Sequence, residues 1–220
     1  MRILLLFLTL VVGYPTCRDN VVFNEIQPAG IPQAKSFPAN FKGSYYRIHV
    51  DSAMIDTEFL VVDDRTMDVR NNFTFSVHKD CVAYLKELRI VKDSAYLQFD
   101  DTVLSTVIKS KGDTLILHYS MQKPVFSISD TAYLKVYKEY CFLNYDADSA
   151  GYYTDVLFFG RKDTLIHGTI ESKTDSSSIE ETMKYTKTGG GGLILKPTRD
   201  ELLNFIKLGG FSKRDKFKRR

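Results

Sequence analysis

The sequence predicts a mainly β protein, a single antiparallel β-barrel or sandwich with one C-terminal α-helix. Three observations carry that expectation. A turn followed by a short apolar strand, Lys111 to Ser120 (KGDTLILHYS), returns as RKDTLIHGTIE at Arg161 to Glu171. A shorter phrase, Asp-Ser or Asp-Thr followed by an apolar residue, recurs at Asp51-Ser52-Ala53, Asp93-Ser94-Ala95, Asp101-Thr102-Val103, Asp130-Thr131-Ala132 and Asp148-Ser149-Ala150. The Asp carboxylate bonds nearby backbone N–H groups in turns, and the β-branched and aromatic residues that follow suit a half-buried pleat. Such phrases open strands at spacings of about 8 to 18 residues, the punctuation of an all-β fold. Finally, only one stretch, near the C-terminus, carries helix signals at both ends.

In chain order, residues 1–16 read as a secretory leader: Arg2, then an apolar run from Ile3 to Val12 broken only by Thr9, too short to span a bilayer. Residues 17–40 hold Pro28, Gly30, Pro32 and Pro38 and read as a tether, or one edge strand from Val21 to Ile26. The β-domain is expected over 41–195. Ser44 to Val50 alternates, with Tyr46, Ile48 and Val50 on one face and Tyr45, Arg47 and His49 on the other. Met54 to Val62 is the next strand, and Phe73, Phe75 and Val77 share a face of the one after. Strands follow at Val82 to Val91, Ala95 to Phe99, Thr102 to Ile108, Thr114 to Met121, Ala132 to Tyr145, Tyr152 to Phe159 and Leu165 to Ile170. Lys92-Asp93, Asp100-Asp101 and Lys109 to Asp113 suit tight hairpins. Lys173 to Ser178 reads as a polar loop, Ile179 to Lys187 as a strand or short helix, Gly189 to Gly192 as a flexible run and Leu193 to Leu195 as a last strand.

The helix lies within 196–211. Thr198 followed three residues later by Glu201 is a capping box, Leu202, Leu203, Phe205, Ile206 and Leu208 supply an apolar face, and Gly209-Gly210 ends it. A helix this short is marginal alone, so it is expected to pack on the β-domain. Residues 212–220 hold six basic residues and one acidic and are expected as a solvated tail. With 30 Lys and Arg against 27 Asp and Glu, that tail leaves the body slightly acidic, and no nucleic-acid partner is implied.

Cys17 directly follows the apolar leader, preceded by Tyr14-Pro15-Thr16. This arrangement resembles the lipoprotein processing site of bacterial envelope proteins, which implies that Cys17 carries lipid and anchors the protein to a membrane. Cys81 and Cys141 remain, either as a disulfide or as buried free thiols. The Asp-Ser/Thr-apolar triplets resemble the O-glycosylation sequon of Bacteroidota envelope proteins. Gly43-Ser44-Tyr45 on the first domain strand resembles the lipocalin Gly-x-Trp start, with Tyr45 at the Trp position. The resemblance implies a lipocalin-like barrel in a small envelope lipoprotein.

No residue set points to catalysis. There is no Gly-x-Ser-x-Gly elbow, no zinc spacing of Cys and His, and no Lys-Ser/Thr after Gly189 to Gly192 to make a phosphate loop. Aligning the two Asp-Thr-Leu phrases puts His118 and His167 on opposite strand faces, so they are not equivalent ligands of a repeated metal site. No catalytic residue, metal or cofactor is assigned. The expected function is a non-enzymatic exported or lipid-anchored envelope protein that binds a small apolar molecule or another envelope component. The alternative is a secreted hydrolase whose site assembles only in three dimensions. A barrel interior would be lined by Tyr46, Ile48, Phe73, Phe75, Leu115 and Leu117, each alternating against a polar neighbour.

Overall fold

Alternation between apolar and polar residues produces strands over most of the described residues, which are mainly β. A computed structural model describes residues 21–220 except 52–53, 85, 87, 100–101, 148–149 and 190. The leader at 1–16 and Cys17 lie outside the described residues. The strands are β1 (Val21–Phe23), β2 (Gln33–Ala34), β3 (Gly43–Asp51), β4 (Met54–Val62), β5 (Thr66–His78), β6 (Leu88–Val91), β7 (Ser94–Phe99), β8 (Thr102–Val107) and β9 (Lys109–Lys111). They continue with β10 (Thr114–Ser127), β11 (Ala132–Tyr137), β12 (Tyr140–Asp146), β13 (Tyr152–Phe159), β14 (Thr164–Thr169), β15 (Tyr185–Lys187), β16 (Leu193–Leu195) and β17 (Lys213–Arg219). Two α-helices, α1 (Ser172–Thr182) and α2 (Arg199–Lys207), and 3-10 turns at Lys79–Tyr84 and Arg161–Asp163 join them, so the strand expected from Val82 begins only at Leu88.

The chain divides into two compact units. The first holds residues 21–34, 129–158 and 166–215; the second holds Lys35–Ile128, Phe159–Leu165 and Lys216–Arg220. The β-domain expected over 41–195 is thus distributed over both. Within neither unit does the strand order close into a barrel among the described residues.

In the first unit the strand order β15–β16–β1–β13–β12–β11–β2 is antiparallel except where β1 runs parallel to β16. The stretch expected as a tether or one edge strand is therefore built into a sheet, with β1 paired to β16 and to β13. Val21, Val22 and Phe23 are buried, and two polar side chains hold the backbone beyond them. Asn144 accepts from the Gln27 amide at 2.8 Å and donates to the Gln27 carbonyl at 2.9 Å. Lys135 donates to the Ile26 and Pro28 carbonyls at 2.7 and 2.9 Å. Burial depresses the Lys135 ammonium below the usual lysine range, with Glu25 opposing.

Both helices pack into this unit's core with Phe23, Phe142, Val156 and Phe211. The α2 capping box forms as the sequence predicts: Thr198 Oγ1 accepts from the Glu201 amide and Glu201 Oε2 accepts from the Thr198 amide at 2.7 Å. Leu202, Leu203, Phe205 and Ile206 are buried; Leu208 is exposed because the helix has already ended at Lys207. The polar loop expected at Lys173 to Ser178 is instead most of α1. Its sequence is rich in serine, but Asp175 is buried and accepts from the Glu171 amide at 2.9 Å and the Ser212 amide at 3.1 Å. One carboxylate thus satisfies the helix start and ties it to the segment after α2.

In the second unit residues 216–219 of β17 start the antiparallel order β17–β3–β4–β5–β10–β9, and β6–β7–β8 form a separate three-stranded sheet. Val77, Leu115, Leu117 and Tyr119 of the larger sheet pack with Leu88, Ala95 and Leu104 of the smaller. The expected tail is therefore a strand: Phe217 is 2% exposed, and Lys218 and Arg219 pair with Tyr46 and Tyr45. The repeated Asp-Thr-Leu phrases do mark turns. Gly112 joins β9 to β10 at φ +60°, and Lys162 and Asp163 take similar left-handed angles before β14.

Two substitutions test this packing. Thr198→Ala removes the N-cap and is expected to lower stability by about 1 kcal/mol. Gly210→Ala places a Cβ 2.5 Å from the fully buried Phe205 ring and is expected to cost more. Thermal denaturation of both variants reads the order; an unchanged midpoint for Gly210→Ala would contradict the packing.

Candidate functional site

The expected lining set is split between two faces of the second unit's sheet. Leu115 and Leu117 point into the filled core, at 7% and 0% exposure. Phe73 and Phe75 stand opposite Tyr119 and Leu117 in the β5–β10 register; their side chains lie outside the described residues. Tyr46 and Ile48 face the other way. The inward residue of β3 is Tyr45, fully buried, its hydroxyl donating to the Phe41 carbonyl at 2.8 Å and its ring 6.4 Å from Phe159. Arg47 follows on the same face. It pairs with the buried Glu58 and places its guanidinium 5.0 Å from the centre of the Phe217 ring. A charged residue reads as solvent-facing in the sequence, but here its partner is buried with it, and the strand turns by one residue.

The other candidate groups are dispersed. Cys81 and Cys141 are free thiols, so no disulfide joins them. Cys81 is exposed, whereas Cys141 is a core residue of β12 opposite Leu157, and burial pushes its thiol up to about 12. His49 has its side chain outside the described residues. His78 lies 3.5 Å from Asp80, and His118 2.7 Å from the Thr74 hydroxyl. His167 Nε2 lies 3.3 Å from Asp155 Oδ2, both about nine-tenths buried. Among the described residues no three His, Cys, Asp or Glu side chains converge on a metal position.

Two shallow pockets stand out, and neither is lined by the expected set. One, of about 340 Å³, lies in the first unit between Asn24, Gly151, Thr186, Ile194 and Lys196. The other, of about 510 Å³, lies in the second unit beside Lys42, Gly43, Val62, Asp63 and Arg65.

What the second unit does assemble is an exposed sheet face. The registers of β17, β3, β4, β5 and β10 set Lys218, Tyr46, Phe59, Arg70 and Gln122 in one cross-strand row. Ile48 adjoins the row and is 56% exposed. The Arg220 guanidinium lies 5.9 Å from the centre of the Phe59 ring. Cross-strand neighbours of this kind sit about 4.5–5.5 Å apart at Cβ, so the aromatic pair and its flanking cations form one patch. The signal was present in the alternation of Ser44 to Val50, but Tyr46 and Ile48, the parity that hydropathy assigns to the interior, face outward. No family model, curated protein or solved structure matches the chain.

Two measurements test the thiol and core assignments. Native protein is expected to react with a maleimide at Cys81 but not at Cys141, which labels only after denaturation. Burial raises Cys141 from 9.0 to about 12 and Tyr119 from 10.0 to about 12. The unfolded chain therefore releases these protons first, so stability is expected to fall as pH rises from about 9 towards 12. A denaturant midpoint that stays constant across that window would contradict both burials.

Proposed function

We propose that this is a non-enzymatic protein of the cell envelope, held to a membrane by lipid on Cys17, that engages another envelope component through an exposed surface. The observation that carries the reading is the contrast within one sheet. Its inward face is packed with Leu115, Leu117 and Tyr119, while its outward face presents Tyr46, Ile48 and Phe59 beside Lys218, Arg220 and Arg70. A filled interior favours surface binding over an apolar ligand held inside. The apolar run Ile3 to Val12 followed by Cys17 supports export and anchoring. The hydrolase alternative would rest on His167 and Asp155, which line neither pocket, while the raised Cys141 thiol is a poor nucleophile.

Metabolic labelling with a fatty acid is expected to mark the wild-type chain and not Cys17→Ala; label that survives the substitution would remove the anchor from the proposal. An environment-sensitive apolar probe is expected to show no saturable binding, and saturation at one equivalent would restore the internal-ligand reading.

A further inference from the structure

We propose that the outward face of the second unit's sheet docks on an anionic membrane surface, with lipid headgroups as its ligand. The patch combines two properties that such a surface rewards together. Four cations, Lys216, Lys218, Arg220 and Arg70, are exposed, and no carboxylate among the described residues is ion-paired with them. Among the described residues the acid in the patch is Asp68, which accepts from Gln122 Nε2 at 3.0 Å. Within this field Ile48 is exposed, and Tyr46 and Phe59 are only partly buried.

The apolar member decides between polyanions. Stacking of bases or sugars would use Tyr46 and Phe59 but gains little from an exposed branched aliphatic chain. A bilayer interface takes all three, since aromatic and aliphatic groups enter the headgroup boundary while Lys and Arg face anionic lipid. The sequence pI of 8.6 is also below the range above about 9 that marks nucleic-acid-binding domains. The face accounts for side chains that the packing does not use: Phe217 and Arg219 of β17 serve the inward side, with Arg219 5.8 Å over the Tyr45 ring, while Lys216, Lys218 and Arg220 alternate outward.

The inference deepens the envelope reading and rests on it only for bringing the protein near a membrane. Its test therefore uses the full chain carrying Cys17→Ala, so that lipid does not contribute to the result. Co-sedimentation with vesicles of phosphatidylcholine alone and of phosphatidylcholine with phosphatidylglycerol reads the partition. Binding is expected only to the anionic vesicles and is expected to weaken with salt. The pair Lys218→Glu and Arg220→Glu is expected to reduce it about tenfold or more. Ile48→Ser is expected to reduce it less, and Lys173→Glu with Lys184→Glu, exposed in the first unit, to leave it unchanged. These positions are exposed, so melting midpoints should match the parent and verify folding. Equal binding to neutral vesicles, binding indifferent to the face variants, or capture of an acidic polysaccharide or single-stranded nucleic acid without vesicle binding would overturn the proposal. Fatty-acid labelling at Cys17 is read separately, so loss of the anchor and loss of the docking face are distinguishable.

Discussion

The burial of Tyr45 is the constraint on which the second unit depends. A strand has a side-chain period of two, so one committed residue assigns every other residue of that strand to a face. The Tyr45 ring and its bond to the Phe41 carbonyl put Leu60 and Val69 on the same side through the β3–β4 and β4–β5 registers. The same commitment carries Arg47 inward, where Glu58 and the Phe217 ring receive it. It leaves Tyr46, Ile48 and Phe59 on the outside with no choice of their own. Slipping β3 by one residue would bury Ile48 but strand Tyr45 and expose the Arg47–Glu58 pair. Breaking a buried pair costs far more than exposing a single isoleucine.

This explains why the sequence showed the strand and hid its orientation. Tyr45-Arg47-His49 and Tyr46-Ile48-Val50 are both alternating sets, and hydropathy alone favours the second for the interior. The deciding information, a carboxylate at Glu58 facing Arg47, belongs to pairing and not to the strand itself. The same limit hid α1. Serines do not announce a helix, and the buried Asp175 carboxylate that holds its start finds one partner, Ser212, far along the chain. The C-terminal strand was masked by charge, since only Phe217 among its residues signals an interior. By contrast α2 and the Gly-Asp and Lys-Asp turns were legible, because capping boxes and hairpin turns are complete within a few residues.

In the first unit the comparable role falls to Asn144. Its amide satisfies both backbone groups of Gln27 and also takes the Thr154 hydroxyl at 2.9 Å. In segment 24–28 only Ile26 and Pro28 are apolar, so polar partners add to what packing holds there. Such a network is costly unless its bonds are made, which gives it more weight in fixing position than in adding stability. Lys135 adds two further bonds to the same segment from the neighbouring strand.

The interior assignments and the surface assignments are therefore one argument. Side chains able to do chemistry are mostly committed to structure: Asp175 to a helix start, Asn144 to a backbone segment, Glu58 to Arg47, Cys141 to a core. Burial has protected that thiol from ionising, which removes reactivity at the same time as it adds packing. What is left over is the parity of β3, β4 and β17 that packing did not need. There apolar and cationic side chains stand together at cross-strand spacing, an arrangement that solubility alone would disfavour and that the proposed binding role would explain.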